Sequence, residues 1–110
     1  MDCLFCKIIA GEIPCSKVYE DDKVLAFNDI APKAPVHVLI VPKEHIESAA
    51  YLYGREDISG AVFSAAATIA KDLGLSNGFR IVTNCGKDGR QSVGHLHFHL
   101  LGGKELSEDM

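Results

Sequence analysis

Residues 92–103 read SVGHLHFHLLGG, with His95, His97 and His99 at every second position. The chain has five histidines in 110 residues, so three of them share five consecutive places. In a β-strand, alternate side chains point to one face, and each step of two advances about 6.6 Å. As a strand, this run puts the three imidazoles on one face and Leu96, Phe98 and Leu100 on the other. The apolar set belongs in a core, which leaves the histidine face turned toward something polar.

The flanking segments supply that core. Upstream, GFRIVTN reads as a strand and CGKDGRQSVG as a glycine-rich loop leading into the histidine run. Between Ser59 and Leu73 the residues Val62, Ala66, Ile69, Ala70 and Leu73 recur at helical spacing, with Gly74 as a stop. SKVYEDD and KVLAFND form two strands around a turn at Asp21-Asp22, and VHVLIVPK forms another that ends at Pro42. The start, CLFCKIIAG, spaces Leu4, Phe5, Ile8 and Ile9 as a short helix, closed by Gly11 and Pro14. Strands, one long helix and further strands predict an α+β fold with a roughly five-stranded antiparallel sheet covered on one face by the helix. No repeat, linker or low-complexity stretch divides the chain, so residues 1–110 are read as a single domain.

Composition narrows the function. Hydrophobic residues make up 47% and charged residues 24%, and the net charge of −4 leaves no basic face for duplex nucleic acid. A small nucleotide needs only a few placed donors and stays open. No apolar run approaches the roughly 20 residues of a membrane span. The acid at position 2, without a basic segment before it, does not read as a secretory signal, so a cytoplasmic location is expected. In that reducing setting Cys3, Cys6, Cys15 and Cys85 are not expected to build a disulfide framework. Cys3 and Cys6 form a C-x2-C pair, and since no strand precedes it, metal binding fits better than redox exchange.

Three readings compete for the histidine run. A solvated strand face rich in histidine is the plainest, and it suits one imidazole better than three in register. A metal site is the second, because imidazoles on alternate strand positions can converge on an ion. Phosphoryl transfer is the third: one imidazole attacks phosphorus while its neighbours orient it and offset the developing charge. The preceding loop favours the third. Gly86 and Gly89 let backbone amides turn toward an anion, and Asn84, Gln91 and Ser92 offer neutral side-chain donors.

The run QSVGHLHFHLLGG resembles the signature of the histidine-triad (HIT) superfamily, in which three histidines alternate with apolar residues. FCKIIAGEIP, VYEDDKVLAFNDIAPKAPVHVLIVPKEHI and DLGLSNGFRIVTNCG are similar to its Hint branch, the histidine-triad nucleotide-binding proteins, so the likeness runs from about Cys3 to Gly103. His99 sets the chain apart from the neighbouring transferase branch, which has glutamine at the third place.

The resemblance implies a HIT-like fold and a purine nucleoside phosphoramidase that works through a covalent nucleotidyl-histidine. Implied roles are His97 as nucleophile, His99 as the α-phosphate contact, and Asn84 and Ser92 as phosphate and leaving-group contacts beside Gln91. Asp29 would bind the ribose hydroxyls, with Ile30 at the base pocket. Phe5, Ile8, Phe27 and Leu39 would complete the slot or belong to the core, and His37 would support the triad. Some bacterial relatives complete a C-x2-C zinc site with the histidine of PKxHI and the first triad histidine. Here those residues are His45 and His95, so Cys3, Cys6, His45 and His95 would hold a structural zinc ion that is not needed for catalysis. A homodimer is implied too. Where the family often has glycine, this chain has Arg90, and its tail KELSEDM has no tryptophan, so leaving-group selectivity stays open. A dinucleoside polyphosphate hydrolase and a nucleotide-binding regulatory protein are the alternatives.

Overall fold

The computed structural model describes residues 3–109; the single-domain reading also takes in positions 1, 2 and 110, which lie outside the described residues. A short helix, α1 (Leu4–Ile9), leads into strands β1 (Lys17–Glu20), β2 (Val24–Asn28) and β3 (Val36–Pro42). The long helix α2 (Glu56–Asp72) follows, then β4 (Phe79–Val82) and β5 (Phe98–Gly102). The strands form one antiparallel sheet in the order β1-β2-β3-β5-β4. The α+β expectation holds.

Each central strand feeds two apolar layers because its side chains alternate. Val24 and Ala26 of β2, Val38 and Ile40 of β3, and Phe98 and Leu100 of β5 pack under α2 with Ile58, Val62, Ala65, Ala66 and Ile69. Leu25, Phe27, Leu39 and Val41 point the other way and meet Cys3 and Phe5 of the N-terminal segment. A sheet buried on both faces explains why VHVLIVP is a continuous apolar run rather than an alternating one.

Two details differ from the sequence reading. Helix α2 begins three residues before Ser59, at Glu56, and Leu73 is its C-cap, 44% exposed rather than in the core stripe. Its first turn carries Glu56 and Asp57 and no side-chain cap, so charge at the positive end of the helix dipole marks the start, not apolar spacing. Strand β5 also pairs only from Phe98 onward. The backbone before it is occupied elsewhere: Leu96 donates to the Ile46 carbonyl at 2.6 Å, and the His97 carbonyl accepts from Thr83 Oγ1 at 2.8 Å. The alternation of faces nevertheless persists through His95.

No helix among the described residues is long and apolar enough to cross a membrane.

Candidate active site

The histidine face is roofed along part of its length and opens only at a cleft reached by His97 and His99. His95 and His97 are buried, at 0% and 3% exposure, beneath α1. The ring of Phe5 stands edge-on to His97, His95 and Phe27, with centroids at 5.1, 5.9 and 5.8 Å. The correction has a simple cause: C-x2-C opens a short helix that needs an apolar seat, and the histidine side of the sheet carries Leu25, Phe27, Leu39 and Val41 beside the imidazoles.

Beside this contact lies a cleft of about 470 Å³, within the range of small-molecule sites. It brings together Phe5, Ile8, Phe27, Asp29, Ile30, Leu39, Ser92, His97 and His99. Phe27 and Leu39, for which sequence left slot and core open, belong to both. Ile30 stands fully exposed at the rim. Asn84 and Gln91 lie outside the lining. Gln91 is engaged in the loop itself: its Oε1 accepts from the Gly86 amide at 3.0 Å, and its Nε2 donates to the carbonyls of Glu47 at 2.8 Å and Val93 at 2.9 Å. That clamp shapes the turn that presents Ser92. A Cβ on Gly89 would stand 2.5 Å from the Cys85 carbonyl oxygen, so the turn closes only with glycine there. Arg90 adopts a left-handed backbone (φ 61°), a conformation that costs a residue with a side chain roughly 1–2 kcal/mol.

Hydrogen-bond partners fix the proton on each imidazole. His97 Nδ1 lies 2.8 Å from the His95 carbonyl, which can only accept, so Nδ1 carries the hydrogen and Nε2 keeps its lone pair. His37 Nδ1 accepts from the Lys33 amide at 3.1 Å, so its hydrogen sits on Nε2. That N–H faces His99 Nδ1 at 2.9 Å, with Asp29 Oδ2 more distant at 3.4 Å. His99 Nδ1 therefore accepts, and its Nε2 carries the hydrogen. An acceptor nitrogen on His97 and a donor nitrogen on His99 result, with ring centroids 5.2 Å apart.

Burial favours the neutral form of His37 and of His99. It holds His99 down at about 4, helped by the imidazoles of His97 and His37 and opposed by Asp29. It also lowers His37, against the pull of the Asp29 carboxylate. Asp29 keeps its Oδ1 on the Ala31 amide at 2.8 Å, which sets the carboxylate at the cleft edge. Because an unfolded histidine takes its proton near 6.5, the unfolded chain binds more protons than the native one as pH falls from about 6.5 toward 4. Stability present above that window should decline through it. Melting temperatures at pH 7 and pH 4.5 should show a smaller drop in His99→Gln than in the parent chain; equal drops would contradict this.

On the far side of Phe5 a second constellation forms. The side-chain ligand atoms of Cys3, Cys6, His45 and His95 lie within 4.8 Å of one another. Cys3 Sγ is 3.3 Å and Cys6 Sγ 3.5 Å from His95 Nδ1, and Cys6 Sγ is 3.2 Å from His45 Nδ1. Tetrahedral zinc with ordinary bond lengths separates sulfur from nitrogen by about 3.6 Å. His95 Nε2 donates to the Pro42 carbonyl at 2.9 Å, which leaves Nδ1 unprotonated and aimed at the thiols, the orientation a metal-bound imidazole needs. The four side chains fit a closed tetrahedral site.

Sequence reasoning missed the Lys33 amide, which sets the His37 tautomer through the backbone and leaves no mark in residue type. It also missed Leu4, Ile13, Pro14, Cys15 and Val93 along the cleft.

The chain is similar to known proteins along nearly its whole length. The HIT domain family matches residues 10–106. A 14 kDa zinc-binding protein of Brassica juncea is 49% identical over 96% of each chain. An adenylylsulfatase HINT1 of Arabidopsis thaliana is 48% identical over 94% of this chain and 73% of its own. The solved structure of a HIT family hydrolase from Clostridium thermocellum superimposes with a TM-score of 0.94 at 46% identity, covering 99% of this chain and 96% of the other.

Proposed function

The chain belongs to the HIT domain family, and on that premise we propose that it is a nucleotide hydrolase that cleaves purine nucleoside phosphoramidates at the α-phosphate through a covalent nucleotidyl-histidine. The observation that carries this reading is the proton placement: the buried His97 offers a lone pair at Nε2 on a residue lining the cleft, and His99 beside it offers an N–H.

The steps follow from those atoms. The His97 Nε2 lone pair attacks the α-phosphorus; the bond to the leaving amine breaks, its electron pair departs with the amine, and the Ser92 hydroxyl gives the amine its proton. The His99 N–H and the loop amides stabilise charge growing on the non-bridging oxygens. Water then attacks phosphorus and returns one proton to Ser92, the P–N bond to His97 breaks, and Nε2 regains its lone pair as the nucleoside monophosphate leaves. Asp29 holds the ribose hydroxyls, and Ile30, Ile8, Phe27 and Leu39 hold the base. The test is an assay against adenosine 5′-phosphoramidate, adenosine 5′-phosphosulfate and diadenosine polyphosphates, with acid-quenched protein analysed for an added nucleotidyl mass. Turnover of the phosphoramidate with that adduct supports the reading, and absence of turnover overturns it. Preference for the polyphosphate would favour the dinucleoside hydrolase. The phosphosulfate is included because the Arabidopsis relative is named an adenylylsulfatase.

Cys3, Cys6, His45 and His95 would hold structural zinc, pinning the N-terminal segment to the sheet. Four protein ligands leave no open position for substrate. Metal analysis of protein purified without added zinc should find about one ion per chain; none, with both thiols freely reactive, contradicts the site.

A symmetric homodimer fits the exposed surface. Strand β4 lies at the sheet edge with its outer side unpaired, and Phe63 and Phe79 are 53% and 43% exposed. Light scattering should return about twice the chain mass of 11.9 kDa, and a monomer at micromolar concentration defeats the assembly.

A further inference from the structure

The metal cluster and the cleft share parts. Helix α1 has only six residues, too few to persist without external contacts. Its N-cap Cys3 and its third residue Cys6 supply both thiols of the cluster, while Leu4, Phe5 and Ile8 wall the cleft. Phe5 lies between those thiols in sequence and is 4% exposed, with its ring against His97. A second connection runs through His95, whose Nδ1 faces the thiols and whose carbonyl holds His97 Nδ1–H.

We infer that Phe5 is a positioning residue for His97, and that occupancy of the Cys3/Cys6/His45/His95 site and occupancy of the nucleotide cleft are thermodynamically linked through α1. The inference rests on the nucleotide and zinc readings above and goes beyond both, since it gives the structural ion an effect on the reaction site. The two states are α1 seated, with Phe5 against His97 and the cleft wall complete, and α1 lifted, with the wall open. A metal bound to the N-cap and third residue of α1 and to His45 and His95, just beyond β3 and just before β5, favours the seated state. A nucleotide against Phe5 and Ile8 favours the same state. Two ligands that prefer one state must raise each other's affinity by an equal factor.

The experiment measures that factor in both directions. AMP binding is titrated by calorimetry on zinc-loaded protein, on protein stripped with a chelator, and on stripped protein reloaded with zinc. Zinc affinity is measured by competition with a chromophoric chelator, with and without saturating AMP. The expected result is AMP binding about 10-fold tighter with zinc, and zinc binding tighter by the same factor with AMP, a typical coupling strength. Phe5→Leu keeps all four ligands but loosens the seated state, so it should bind zinc several-fold more weakly than the parent in the absence of nucleotide, and saturating AMP should recover part of that loss. Equal AMP affinity in stripped and loaded protein of the same circular dichroism overturns the linkage. So does a Phe5→Leu variant that binds zinc as tightly as the parent in the absence of nucleotide, and that arm decides the matter should the stripped chain lose its fold. Loaded protein that fails to bind AMP overturns the nucleotide reading and this inference with it; protein that binds no zinc overturns the metal reading and this inference, leaving the nucleotide reading standing.

Discussion

His97→Ala should lower turnover of a nucleoside phosphoramidate at least ~10³-fold, the scale on which removal of a covalent nucleophile acts. No neighbour can replace it. His99 has its Nδ1 engaged by His37 and a hydrogen on Nε2, and His95 has Nε2 on the Pro42 carbonyl and Nδ1 against the thiols. Only His97 joins a free lone pair to a place in the cleft wall. Nucleotide binding should largely survive, since Asp29, Ile8, Phe27 and Leu39 stay in place. Ser92→Ala removes one proton-transfer contact and should cost less, on the order of 10-fold to 100-fold. Steady-state kinetics with AMP binding measured in parallel checks both, and the nucleotidyl adduct should vanish in His97→Ala alone. Near-normal turnover in His97→Ala would end the assignment.

Much of this site could be read from residue type and spacing. Period-two alternation separated His95, His97 and His99 from Leu96, Phe98 and Leu100, and Leu96, Phe98 and Leu100 do pack under α2. The C-x2-C pair was visible for the same reason, since cysteine spacing carries ligand geometry. What escaped is long-range or made by the backbone. That the histidine face is roofed depends on where α1 lands, and six residues of helix do not encode a destination on their own. The tautomers depend on the Lys33 amide and the carbonyls of His95 and Pro42, groups that every residue possesses. Gln91 looked like a phosphate donor because side-chain amides suit that task, and the fold uses it to close its own loop. Leu73 matched the helical stripe yet falls at the C-cap, where periodicity no longer sets direction.

His99→Ala should reduce turnover by about 10²-fold to 10³-fold, the usual cost of losing one donor aimed at developing charge. The effect should fall mainly on kcat, because the donor matters most where the non-bridging oxygens gain charge. Its alignment is inherited. The Lys33 amide fixes the proton of His37, and His37 fixes that of His99, so the hydrogen facing the phosphate is set two residues away from it. His37→Phe breaks the chain at its middle. His99 would then divide between two tautomers, and turnover should fall about 10-fold, near the value of one hydrogen bond, with little change in KM. His37→Gln puts an amide nitrogen near the place of Nε2 and should restore most of the loss. A merely structural role for His37 would leave the two variants equally impaired, with KM and stability moving together. The split between kcat and KM across His99→Ala, His37→Phe and His37→Gln therefore distinguishes tautomer control from packing, and equal behaviour of the two His37 variants would refute that control.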